Sequence, residues 1–97
     1  MEKLIHKVEM DRKVIGRELP DEVTLYAVDS EHFMLSVKPL EELEEKALAK
    51  VQVSVVRVAD KYVFNLPEKI YNFYHLDEND YTVMVSEQNP DNIIVSL

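Results

Sequence analysis

The chain reads as an α+β protein with mostly antiparallel sheets and two short helices, and three observations lead there. About seven stretches alternate apolar and polar residues or run apolar on both faces, the pattern of strands. Short polar turns such as Asp29-Ser30-Glu31 and Ala59-Asp60-Lys61 join neighbouring stretches, which permits only antiparallel pairing. Two segments begin with proline and then show helical spacing. They fall among the strands in runs rather than in strict alternation, which separates α+β from α/β order.

The elements follow in sequence. From Lys3 to Lys13, Leu4, Val8 and Met10 recur at even positions with His6 between, so a strand with one buried face is expected. Val14-Ile15-Gly16-Arg17-Glu18-Leu19-Pro20 holds the only glycine and a proline and reads as a turn. Glu22 to Val28 is a second strand with both faces apolar. After the Asp29-Ser30-Glu31 turn, His32 to Lys38 returns as a third.

Pro39 to Lys50 is the clearest helix. Proline suits a first turn, where its missing N–H costs nothing. Glutamates gather near the N-terminus and lysines near the C-terminus, as the helix dipole favours. Leu40, Leu43 and Ala47 make a narrow apolar stripe.

Val51 to Val58 places Val51, Val53 and Val55 on one face and Val56 and Val58 on the other, which predicts a bulge or a strand buried on both sides. Tyr62-Val63-Phe64 comes back after a turn. Leu66 to Leu76 opens on Pro67 and sets Ile70, Phe73 and Tyr74 on one side, a second short helix. Asp77-Glu78-Asn79-Asp80 ends it. Tyr81 to Ser86 is a sixth strand, Gln88 to Asn92 a turn, and Ile93 to Leu97 a last strand.

Length and charge bound the function. The 97 residues, 46% of them apolar, make one domain spanning 1–97, neither disordered nor low-complexity. With no cysteine, disulfide scaffolds, Cys-ligated zinc modules and thiol enzymes are excluded. No run of about 18 apolar residues exists, so no membrane span is expected. Met1 to Lys7 becomes charged again too soon for a signal peptide, so the expected location is cytoplasmic.

Acidic residues outnumber basic ones 19 to 11, for a net charge of −8. Both halves of the chain share the excess, so no basic arm exists to replace phosphate counterions and nucleic acid is not an expected partner. Arg12, Lys13 and Arg17 are the one local basic group, and ordinary surface charge near a turn explains them.

Chemistry-bearing constellations are sparse. His6, His32 and His75 stand far apart, with no spacing of a zinc motif. One glycine cannot build a phosphate-cradling loop. The serines carry no nucleophile motif, and Asp77 to Asp80 lacks the length and central glycine of a calcium loop. No metal, cofactor or catalytic residue is expected. Glu41, Glu42, Glu44 and Glu45 form the densest carboxylate group. A solvated helix face explains them, and a contact face for a basic protein is their functional reading.

Leu19-Pro20-Asp21-Glu22-Val23 parallels Leu66-Pro67-Glu68-Lys69-Ile70 across 47 residues. A duplicated unit would produce this, and so would chance in an apolar-rich chain.

Two resemblances complete the reading. Val63-Phe64-Asn65-Leu66-Pro67-Glu68-Lys69-Ile70, then Leu76, Asp80, Tyr81-Thr82-Val83 and Ile93-Ile94-Val95, resemble the AbrB/MazE swapped-hairpin family over residues 56–97. That resemblance implies an intertwined, DNA-binding dimer or an antitoxin. The family's glycine before the proline-containing segment is replaced by Ala59-Asp60, and Arg57 and Lys61 are its nearest basic counterparts. In size, acidity and element order the chain also looks like a small acidic archaeal orphan family, which implies an interdigitated α+β homodimer without assigned activity.

The two-faced strands also call for a second sheet or subunit. The expectation is an intertwined, non-enzymatic homodimer, with strands of both subunits in shared sheets. It would bind a basic protein through Glu41, Glu42, Glu44 and Glu45. The alternative is an AbrB/MazE-like DNA-binding factor that gathers Arg12, Lys13, Arg17 and Arg57 on one surface.

Overall fold

The computed structural model describes residues 6–76, 78, 80–89 and 91–97. The start of the first expected strand, with Leu4, lies outside the described residues, as do Asp77, Asn79 and Pro90 of the expected turns. The chain is α+β. Among the described residues there are seven strands, β1 (Lys7–Asp11), β2 (Glu22–Ala27), β3 (His32–Ser36), β4 (Ala49–Val58), β5 (Lys61–Asn65), β6 (Thr82–Val85) and β7 (Asn92–Ser96). Three short helices among them, α1 (Arg12–Ile15), α2 (Glu41–Lys46) and α3 (Glu68–Phe73), interrupt the strands.

All strands join one sheet in the order β1-β5-β4-β2-β3-β7-β6, with every pairing antiparallel. β4 is the splice. Residues 49–54 pair with β2 and residues 54–58 with β5, so Ser54 alone faces a partner on both sides, Glu22 and Asn65. Such a staggered register is what lets a twisted sheet roll up. The roll brings the far edges together, with Tyr81, just before β6, reaching the backbone of β1. Arg17, after α1, pairs with Asp91 at the start of β7.

One face of the sheet lines the inside of the roll. Val8, Met10, Val23, Leu25, Phe33, Leu35, Val53, Tyr62, Phe64, Ile93 and Val95 point there and are all but inaccessible. Ile15 and Leu19 close one end, and Leu66, Ile70, Tyr74 and Leu76 close the other. Fully burying a side chain of this size stabilises by roughly 1.5–3 kcal/mol, so the core is the main source of cohesion. Among the described residues, no buried side-chain polar atom lacks a hydrogen-bond partner.

The structure differs from the sequence expectation in four places. The first strand stops at Asp11, because its side chain accepts a hydrogen bond from the Lys13 amide and starts α1. Gly16, at φ 71°, ends that single turn in the left-handed conformation that glycine adopts without strain. The 39–50 helix is cut to α2, since Ala49 and Lys50 are drawn into the β4 ladder opposite Ala27 and Tyr26. Ladder bonds in a central strand outweigh the helical propensity of Ala and Lys.

The expected bulge in β4 is absent, as its register runs unbroken through both pairings. Val56 and Val58 stand on the outer face at 46% and 53% exposure. The outer face of β2 is covered within the chain itself, where the 40–44 segment lies over Tyr26. Lastly, Leu19-Pro20 leads into strand β2 and Leu66-Pro67 into helix α3, so the two segments do not share one local structure.

Candidate functional site

The outer face of the sheet is where the acidic segment lies. Tyr26 on β2 points outward yet is fully buried, because Leu40 to Glu44 folds across it. Its hydroxyl accepts a hydrogen bond from the Leu40 amide at 3.0 Å and donates to Glu44 Oε2 at 2.6 Å. Lys50, beside Tyr26 in the β2–β4 register, donates to Glu44 Oε1 at 2.7 Å. The Lys50 hydrogen bond, and after it that of Tyr26, lowers the Glu44 pKa. The same pair raises the Lys50 pKa, while burial and then Glu44 raise that of Tyr26. Glu44 is thus an internal tie that holds α2 onto the sheet.

Beside this tie lies a groove of about 660 Å³. Met34 on the outer face of β3 forms its floor. Pro39, Leu40, Glu41, Glu42 and Leu43 make one wall, and Ser86, Gln88, Asn89 and Asn92 the other. The second wall is braced by a polar turn. The Ser36 hydroxyl donates to Asn92 Oδ1 at 3.0 Å, the Asn92 amide to the Asn89 carbonyl at 2.9 Å, and the Asn89 amide to Ser86 Oγ at 3.2 Å. Leu40 and Leu43 are half-buried, while Glu41 and Glu42 are exposed on the rim. No cation lines the groove among the described residues.

The acidic quartet is therefore divided. Glu41 and Glu42 face the groove, Glu44 is turned inward, and Glu45 is exposed outside the lining. Tyr26, Lys50 and Met34 complete the site and were not singled out by the sequence. The outward-facing apolar positions of strands 22–28 and 32–38 were the signal that something covers that face.

The expected basic residues meet at one end of the roll. Arg12, Lys13 and Arg17 line a shallow depression with Gly16, Glu18 and Asp60. Arg57 reaches Glu18 Oε2 at 3.3 Å, and Arg12 reaches Glu18 Oε1 at 3.6 Å. The histidines remain separate. His6 packs on Tyr71, His32 pairs with Asp29 at 2.9 Å and His75 with Glu78 at 3.8 Å. Among the described residues, no three His, Asp or Glu side chains gather to hold a metal, and no helix is long and apolar enough to cross a membrane.

Comparison with protein-family models, with curated proteins and with solved structures finds no match to this chain.

Proposed function

We propose that the chain is a cytoplasmic, non-enzymatic binding module whose groove takes a basic, partly apolar segment of another protein. The carrying observation is the pairing of exposed carboxylates, Glu41 and Glu42, with an apolar lining of Met34, Leu40 and Leu43 in a groove without cations among its described lining. Opposite charge at the rim sets approach and register, and apolar contact at the floor supplies affinity. The net charge of −8 steers the same class of partner.

Capture from a native lysate with salt-step elution tests this. The wild-type chain retains basic proteins that moderate salt releases, and Glu41→Lys with Glu42→Lys loses them. Glu45→Lys, off the groove, serves as the control. Equal capture by all three removes the groove from the reading.

Assembly as an intertwined homodimer with shared sheets belongs to the same proposal. Its support is the half-exposed pair Val56 and Val58 on the outer face of β4. Folding and association would then be one equilibrium, and the denaturant midpoint would rise with protein concentration. A concentration-independent midpoint for a chain of monomer mass ends that part.

The AbrB/MazE-like alternative is favoured by one observation, the meeting of Arg12, Lys13, Arg17 and Arg57 at one end of the roll. Glu18, Asp60 and Asp91 stand among them, and a nucleic-acid backbone laid across that end meets carboxylates as well as cations.

A further inference from the structure

Arg57 continues the inward-facing row of Val51, Val53 and Val55 along β4, so a charged residue ends the apolar interior at the mouth of the roll. It stands opposite Tyr62, which in turn faces Met10 across β1. Tyr62 is fully buried. The guanidinium carbons of Arg12 and Arg57 lie 5.5 and 5.8 Å from the centre of its ring, within cation–π range.

Both guanidiniums are also held from behind by main-chain carbonyls. Arg57 Nη2 donates to the Leu19 carbonyl at 2.7 Å, and Arg12 Nη1 to the Ala59 carbonyl at 3.5 Å. Their placement therefore does not depend on the carboxylate in front of them. That carboxylate is Glu18, whose side chain is 70% exposed. One oxygen faces Arg12. The other accepts from Arg57 Nε and lies 3.2 Å from the Tyr62 hydroxyl, whose single proton has a nearer acceptor in the Arg17 carbonyl at 2.9 Å. Arg12, Lys13, Arg17 and Glu18 border a depression of about 390 Å³, with Arg57 and Tyr62 behind Glu18 and outside its lining, and at Gly16 no atom beyond its chain neighbours lies within 4 Å of where a Cβ would stand.

A chain carrying an excess of acid thus concentrates cations at one barrel-like mouth, a common place for ligands. It fills the space between two preset arginines with a solvent-exposed carboxylate of its own. We propose that this mouth binds a compact phosphoryl anion, which displaces Glu18 and bridges Arg12 and Arg57 beside Tyr62. Planar guanidinium forks suit tetrahedral oxyanions. Glu18 stands in for the ligand when none is bound, and as an exposed ion-pair partner it leaves easily. The surrounding carboxylates Asp60 and Asp91 limit the site to a small anion rather than a long polyanion. The inference is independent of the groove on the outer face.

The test is calorimetric titration with inorganic phosphate and pyrophosphate at constant ionic strength, with a short DNA duplex as a parallel arm. Saturable one-site binding is expected. Glu18→Gln tightens it several-fold, because the anion no longer competes with a resident carboxylate. Glu68→Gln makes the same charge change on α3, at the opposite end of the roll, and leaves affinity nearly unchanged. Arg57→Gln abolishes binding. Absence of binding to both wild type and Glu18→Gln overturns the proposal, even if Arg57→Gln folds poorly. Equal tightening by Glu68→Gln, or duplex binding that pyrophosphate fails to displace, overturns it too.

Discussion

The Tyr81 hydroxyl satisfies both backbone groups of Glu9. It accepts from the Glu9 amide at 3.0 Å and donates to the Glu9 carbonyl at 3.1 Å, across 72 residues of chain. Glu9 sits mid-strand on β1, whose other edge pairs with β5. One phenol thus does for this edge what a neighbouring strand would do. Unpaired edge groups invite pairing with other chains, so Tyr81 protects the sheet as well as closing it.

Tyr81→Phe is expected to lower stability by about 1 kcal/mol, the net worth of a typical hydrogen bond. Amide exchange should speed up at Glu9 and change little in β2 and β3. Uniform acceleration along the chain would show that the contact does not close the roll.

Tyr26→Phe removes the hydroxyl under α2. It leaves the Leu40 amide without its acceptor and Glu44 with Lys50 alone. Denaturant unfolding should show a loss of roughly 1–2 kcal/mol, with early exchange at Leu40. A double cycle with Glu44→Gln should be non-additive, since the two share one contact.

Among the described residues, three carboxylates with lowered pKa contribute to the acid limb. The Lys50 hydrogen bond lowers the Glu44 pKa, the Glu31 amide and then His32 lower that of Asp29, and the Arg17 pairing lowers that of Asp91. Each binds protons less readily folded than unfolded. Their stabilisation is therefore complete above the ordinary values of 4.5 for Glu44 and 3.8 for the aspartates, and is lost as pH falls through the lowered ones. Thermal midpoints should fall below about pH 4.5, with a shallower fall in Glu44→Gln. An acid limb of the same slope in that variant would exclude Glu44.

Tyr74 governs the alkaline side. Burial, and then the Asp29 charge, pushes its pKa up to about 12. A raised pKa favours the neutral form in the fold, so the stability it adds is present below pH 10 and lost as pH rises through 12. The Tyr26 pKa is raised as well, so absorbance titration of phenolate should show late titration by both, of which Tyr74→Phe removes one phenol's share. A late amplitude unchanged in Tyr74→Phe would assign it elsewhere.

Much of the architecture was legible because strands with one dry face must alternate. Val8 and Met10 are buried at period two, as the sequence pattern predicts, and the expected strands at Tyr62 to Phe64 and from Ile93 are present, buried at Tyr62, Val63, Phe64, Ile93 and Val95. Asp11 as a cap and Gly16 as a stop also signal α1, but the period-two pattern that runs on to Met10 masks them. The length of α2 was not legible, since only tertiary pairing decides that Ala49 and Lys50 extend β4. The site followed the same division. The carboxylates were visible as a cluster, but which of them face a groove and which hold Tyr26 depends on how the 39–46 segment crosses the sheet. Arg57 entered only through a family resemblance, and its place beside Arg12 and Tyr62 arises from register and roll.

The offset pairing of β4 has a mechanical consequence. To one side of Ser54 lie β1 and β5, and to the other β2, β3, β7 and β6, so the ladder passes between two blocks through the short overlap of Ser54 and Val55, whose amide donates to the Asp21 carbonyl while it pairs with Phe64. Each block can loosen while its own internal pairings persist, which is the condition for separate cooperative units. Further ties join the two blocks away from that strand, among them Tyr81 to Glu9, Arg17 to Asp91 and Tyr74 to the His32 carbonyl. The molecule is thus a clasp, with its pivot at Ser54 and its catch at the meeting edges.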